Sequence, residues 1–342
     1  AAREVLEAAV ATRAFPGAAA DAGTSAGSSW STAVGQLTYE PDAPPVTDAT
    51  LYDLASLTKV IATTSVAMRL AGDCTVSLDE PVSLWMPEWA EGPFSRVRVR
   101  DLLEHASGLA AWLPLFQTCR GRDEYRRAIA ALAPEYAPRT TSVYSDLGFI
   151  VLGHVLESAA GRTLGEMFAW LREDAALPGS LDYGVAPAHE VAPTEFDPWR
   201  GRLAAGEVHD ENAFALGGVA PHAGLFGAAP DVAAFARLVL RTFHEDTALG
   251  TPARMRTFAQ RSEVPGSSRA LGWDTMLATS SCGARMSPEA VGHTGFTGTS
   301  LWIDPARDLY VVLLTNRVHP TRENNQIRAV RRDFHDALLA QR

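Results

Sequence analysis

The apolar positions at the start of the chain recur at helical spacing. Ala2, Val5, Leu6, Ala9 and Val10 form one stripe over 1–13, and Pro16-Gly17 ends it. Strand-like pieces follow around 17–24 and 31–39, separated by the polar turn from Ser25 to Ser29. A second helical stripe, Leu57, Val60, Ile61, Thr64, Met68 and Ala71, covers 57–71, with Gly72 suited to cap its end. Residues 72–260 read as mainly helical with long Pro/Gly-rich loops. The clearest helix among them is 146–160, carrying Leu147, Ile150, Val151, Val155 and Leu156 and followed by Gly161. Late strands are expected at Leu271–Leu277, Thr299–Asp304 and Leu309–Thr315, the last two forming a hairpin about Pro305-Ala306-Arg307-Asp308. A helix near 324–340, striped by Ile327, Val330, Phe334, Ala337 and Leu338, closes the chain.

Helix and strands at both ends with helices between predict an α+β fold. One sheet would draw on both termini, with a helical region inserted in it. At 342 residues, 46% hydrophobic and 20% charged, the composition is that of a globular protein. A formal charge of −10 argues against a nucleic-acid partner. No run of eighteen apolar residues exists, so no transmembrane helix is expected. Cys74, Cys119 and Cys282 are odd in number and lack metal spacing. They read as idle thiols, with one disulfide left open. No cofactor and no metal is expected. The chain opens at Ala1 rather than methionine, so compartment and oligomeric state stay open.

One detail changes the picture. Lys59 is the only lysine beside 29 arginines. A general Arg bias accounts for the scarcity but not for the exception, because only lysine can release its proton at usable pH. Lys59 stands three residues after Ser56, where the helical stripe begins. That spacing puts both side chains on one helix face, near the positive N-terminal end. A base beside Ser56, either a desolvated lysine of depressed pKa or a phenolate, would make the hydroxyl a nucleophile. Tyr144-Ser145-Asp146 precedes the 146–160 helix, where Tyr144 can enter a cleft as general base or Asp146 can simply cap the helix. His293-Thr294-Gly295 precedes the expected strand 299–304, and Gly295 permits close backbone approach. The N–H of Phe296 could then join that of Ser56 as an oxyanion hole.

In this order, the sets Ser56-Leu57-Thr58-Lys59, Tyr144-Ser145-Asp146 and His293-Thr294-Gly295 resemble the S-x-x-K, Y-x-N and K-T-G elements of serine β-lactamases and penicillin-binding enzymes. The surroundings are most similar to the class C branch, which also holds D-alanyl-D-alanine carboxypeptidases, D-amino-acid peptidases and family VIII esterases. Further stretches resemble it: 51–55, 101–109, 208–213, 222–226 and 300–305, so the likeness spans about 45–340. The resemblance implies a β-lactamase/transpeptidase-like architecture: an antiparallel sheet flanked by the terminal helices (1–65 and 265–342), a mainly helical domain (66–264) and a cleft between them. It implies a hydrolase working through an acyl-enzyme on Ser56, with Lys59 and Tyr144 sharing the base role. Phe296, Asp146, His293, Thr294 and Gly295 would form the oxyanion and substrate-binding set. Small esters, D-peptides or β-lactams would be the substrates.

Two positions depart from the pattern: Asp146 for Asn and His293 for Lys. A neutral His293 and an ionised Asp146 would both weaken attraction for a substrate carboxylate. Weak or absent β-lactamase activity is therefore expected, with neutral esters or amine-bearing D-peptides preferred, unless arginines supply the missing charge. His105, His209 and His222 read as loop organisers, and loops 110–140 and 178–215 as walls of the pocket. Two rivals remain at this point. Gly23-Thr24-Ser25-Ala26-Gly27 matches the G-x-S-x-G elbow of α/β-hydrolases but lacks the required strand and helix around it. A non-catalytic relative of the same fold is the other.

Overall fold

The computed structural model describes residues 1–185 and 190–340. His189 and part of the expected pocket loop 178–215 lie outside them. The main strands are β1 (Gly17–Thr24), β2 (Gly27–Gly35), β3 (Asp274–Thr275), β4 (Val291–Thr294), β5 (Ser300–Asp304) and β6 (Leu309–Thr315). They form one antiparallel sheet in the order β2-β1-β6-β5-β4-β3. Strands from the two ends of the chain meet at its centre, where Ala18 pairs with Thr315 and Gly23 with Tyr310. The helices used below are α1 (Ala2–Ala11), α2 (Ser65–Gly72), α3 (Asp146–Ala160), α4 (Ala229–Thr242) and α5 (Ile327–Leu339).

Alternation along the central strands buries both faces. Ala18, Ala20, Ala22, Trp302, Val311 and Leu313 face one side, where they pack with Leu6 of α1 and Phe334 and Leu338 of α5. The alanines of β1 leave room for these two helices to lie close. Leu301, Ile303, Tyr310, Val312 and Leu314 face the other side. They belong to a second buried cluster that takes in Val232, Phe235 and Val239 of α4 and continues through the helices of the middle of the chain. Deleting a fully buried ring such as Phe334 from such a layer costs about 3–5 kcal/mol.

Several expected elements shift. The first hairpin turns on Ser25-Ala26 alone, so the second strand is 27–35 rather than 31–39. Ser25 N and Oγ both donate to Asp308, fixing a hairpin tip and not a strand-to-helix elbow, which removes the α/β-hydrolase reading. The strand expected over 271–277 shrinks to Asp274–Thr275, because Gly272 sits at φ +83 and turns the chain just before it. Strand β4 was not foreseen, since Val-Gly-His-Thr carries one large apolar residue. His293-Thr294 therefore lies on a strand rather than ahead of one. The helix after Ser56 begins as a π-helix over Lys59–Thr64 before continuing as α2, and Gly72 is its last residue rather than its cap. Helix α3 follows the expected bounds, with Gly161 left-handed at its end. All three cysteines are free thiols. Among the described residues no helix is long and apolar enough to cross a membrane.

Candidate active site

Ser56 follows Ala55, whose φ of +48 is costly for a residue with a β-carbon. The surroundings hold that turn in place. Asp53 is buried, and its carboxylate accepts from Ala55 N at 2.8 Å and His209 N at 2.6 Å. Thr297 Oγ1 donates to Asp53 O, and Thr299 Oγ1 donates to Leu54 O. Leu54 N and Leu225 N donate across to Leu225 O and Thr58 Oγ1. The turn is thus bonded from three separate segments, and Ser56 stands at the entrance of the π-helical turn. Such π turns are common at functional sites because they re-aim side chains.

Lys59 Nζ is fully buried and has three acceptors around it. It donates to Ser56 Oγ at 3.1 Å and to His222 O at 3.1 Å, and it pairs with Asp146 Oδ1 at 2.6 Å. Burial alone would push the Lys59 pKa down. Asp146 and Tyr144 outweigh it, and the pKa lies above the ordinary lysine value. The expectation of a lysine with depressed pKa is therefore corrected: the group is an ammonium with its counterion in contact.

Tyr144 comes from the loop before α3. Its buried hydroxyl faces Lys59 and Ser56, and Lys59 Nζ lies 4.8 Å from its ring centroid. Burial raises its pKa and Asp146 adds to the rise, while Lys59 opposes both; the phenol stays protonated at neutral pH. Helix α3 is capped by Ser145, whose Oγ accepts from Gly148 N, so Asp146 is free of that task. His105 Nδ1 accepts from Ser145 N at 3.0 Å, and its ring lies 4.7 Å from that of Tyr144. His105 thus sets the Tyr144 loop, as an organiser would.

The end of β4 closes the other side. Gly295 abuts Leu54 and Ala55, and Arg331 donates to the carbonyls of Gly295 and Thr299. Among the described residues the backbone N–H groups of Ser56 and Phe296 have no protein acceptor. His293 is buried; desolvation, then Arg269 and Lys59, push its pKa well below the usual value, so it is neutral. The Phe296 ring is half exposed, with Arg317 Cζ 4.4 Å above it and the His209 ring 5.6 Å away. His209 in turn meets Glu195 at 2.9 Å, and His222 meets Asp210 at 2.8 Å.

Two hollows share Ser56, Tyr144 and Phe296 as lining. One, of about 360 Å³, is walled by Trp112, Asp146, Asp210 and Glu211. The other, of about 290 Å³, is walled by His293, Thr294, Arg269, Arg317, Arg328 and Arg331. Sequence reasoning brought Ser56, Lys59, Tyr144, Asp146, His293, Thr294, Gly295 and Phe296 to one place, and all eight lie around the same opening. It missed the four arginines, which belong to no local motif, and it missed Asp53, whose signal was only its place in the stretch before Ser56.

The family described as Beta-lactamase matches residues 2–335. An N-acetylmuramyl-L-alanine amidase of Bacillus subtilis is 32% identical over 310 residues, covering 79% of this chain and 68% of that protein. A protein of Escherichia coli K12 carrying the provisional name D-alanyl-D-alanine carboxypeptidase is 29% identical over 311 residues, 80% of this chain and 70% of its own. Among solved structures, EstCE1, a hydrolase with promiscuous acyltransferase activity, superposes with a TM-score of 0.78 at 22% identity, covering 98% and 97% of the two chains.

Proposed function

The chain belongs to the β-lactamase family, a family of serine hydrolases, and we propose that it forms an acyl-enzyme on Ser56 from esters or D-amino-acid amides and then hydrolyses it. The observation that carries this reading is the contact of Ser56 Oγ with Lys59 Nζ at 3.1 Å, with the buried Tyr144 hydroxyl facing both. In the proposed reaction the Tyr144–Lys59 pair first loses one proton to solvent; Ser56 Oγ then attacks the carbonyl carbon and its proton passes to that pair. The N–H groups of Ser56 and Phe296 receive the oxyanion. The leaving group takes up the proton, and water then repeats the attack on the ester.

The four guanidinium groups bear on substrate choice. The argument for weak β-lactam turnover rested on a neutral His293 at the third motif and on the negative charge of Asp146. Arg269, Arg317, Arg328 and Arg331 line that side of the opening, and none of the last three has a carboxylate partner among the described residues. This supports substrates bearing a carboxylate, as C-terminal D-peptides do, in preference to neutral esters. The same feature favours a second reading, a true β-lactamase.

A fluorophosphonate probe followed by peptide mapping tests the nucleophile. Label on Ser56, lost in Ser56→Ala and kept in Ser25→Ala, is expected. A folded protein that takes no label, or takes it elsewhere, overturns the proposal and leaves the non-catalytic relative. Turnover of a D-Ala-D-Ala peptide, p-nitrophenyl butyrate and nitrocefin then orders the substrates. Nitrocefin hydrolysis faster than that of the peptide would favour the β-lactamase reading.

A further inference from the structure

The pattern of the family places Asn two residues after the tyrosine, and this chain places an acid there. Asp146 Oδ1 lies 2.6 Å from Lys59 Nζ, and the Asp146 side chain is 16% exposed whereas Lys59 is wholly enclosed. We infer that Asp146 is a positioning residue that fixes Lys59 as an ammonium and thereby makes the reactive form of the Ser56 site an alkaline one.

The charges around the pair explain why. Lys59 and Asp146 cancel one another. The Tyr144 hydroxyl stands against both from the preceding loop, and the Phe149 ring of α3 lies 5.6 Å from Nζ. From the segment 209–222 come the His222 carbonyl and Asp210, the latter held ionised because His222 outweighs the effect of burial. From β4 and from the 105 loop come His293 and His105, both driven to the neutral form by burial, then by Arg269 and, beyond it, Lys59. Arg269 adds one cation over the outer face of the Tyr144 ring at 5.1 Å. To accept the Ser56 proton, either Lys59 or Tyr144 must first give up its own. Each such loss leaves the Asp146 carboxylate facing one less positive charge, or one more negative one, around a wholly enclosed Lys59. The cost falls on the basic form, whichever of the two groups carries it.

Asp146→Asn keeps the shape and one oxygen acceptor but removes the charge. The pKa of Lys59 and that of Tyr144 should both fall. The rising limb of kcat/KM should then move to lower pH by about one unit or more, the usual effect of a single charge at this range. Asp146→Glu, which restores the charge, should move it back. A merely structural role would lower activity at every pH without moving the limb.

The chain supplies a direct readout that does not depend on turnover. Lys59 is the single lysine, so protein grown on ε-¹³C-lysine gives one side-chain signal. In the unaltered protein that signal should stay at the ammonium position through pH 10, and in Asp146→Asn its midpoint should drop by about a unit. Coincident midpoints would overturn the inference, and so would a neutral amine at pH 8 in the unaltered protein, an outcome that can be read even if Asp146→Asn fails to fold. The kinetic arm rests on the acyl-enzyme reading. If no substrate is turned over, that reading falls while the titration still decides this one.

Discussion

Gly295 lies so close to Leu54 that a β-carbon on it would stand 2.6 Å from the Leu54 carbonyl oxygen and 2.0 Å from Thr299 Oγ1. The two positions are distant in sequence, and their contact fixes how far Phe296 N lies from Ser56. Gly295→Ala must therefore push the end of β4 away from the serine turn. Loss of one oxyanion donor from its position costs about 10²–10³ in kcat. The variant is expected to fold, with unchanged far-ultraviolet circular dichroism, and to lose at least about a hundredfold in kcat. An active Gly295→Ala would show that the Phe296 N–H is not used.

The arginine wall predicts selective effects on charged substrates. Arg328 is exposed at the start of α5 and Arg269 is partly exposed over Tyr144. Arg328→Gln and Arg269→Gln should each raise KM for a carboxylate-bearing ester by about tenfold, the worth of one charge-assisted hydrogen bond. Arg328→Gln should leave a neutral ester of the same leaving group within about twofold. Equal kinetics for the two esters in the unaltered protein would remove the anionic preference.

Asp53 supports the strained turn without touching the reaction. Its two bonds hold Ala55 N and His209 N in a buried setting. Asp53→Ala leaves both donors without a partner and is expected to cost about 2–4 kcal/mol of stability by urea titration. Ser56 should also lose fluorophosphonate reactivity faster than the protein loses structure, because relaxing Ala55 from φ +48 turns the nucleophile.

Glu195 predicts an acid limb in stability. Burial would raise its pKa, but the hydrogen bonds and charges of His209 and Arg322 hold it down at about 2. A carboxylate depressed in the folded state adds stability that is complete above the ordinary glutamate pKa and is lost as pH falls from there toward 2. Glu195→Gln should flatten the loss of unfolding free energy in that window by an amount on the order of 2 kcal/mol, screening by the exposed part of Arg322 included. An unchanged acid limb would show the cluster to be neutral to folding.

The helices and the central hairpin were legible because their periodicity is set by burial. The stripe of 146–160 and the bounds of β6 came directly from apolar spacing. Strand β4 was not legible, because Gly292 lies under the Trp302 ring and His293 lies against the Tyr144 ring, and local propensity carries no trace of that. The nucleophile set was legible because helix geometry ties Ser56 to Lys59. The partners that decide charge were not. Asp146 read as repelling substrate, yet it is spent on Lys59 inside the protein. Beside the neutral His293 stand arginines from the 269 turn and the 317–331 segment, a juxtaposition created by the tertiary fold alone.

Pairing of β1 with β6 has a consequence for how the molecule comes into being. The strand that begins at Gly17 waits for its central neighbour until Thr315 has been made, and the serine turn waits for Thr297 and Thr299. About three hundred residues must leave the ribosome before either the sheet or the nucleophile can settle. Contacts so remote in sequence slow folding through the entropy of closing the intervening loop. A chain that stops before Thr297 would lack both the central partner of β1 and the two threonines that bond the serine turn.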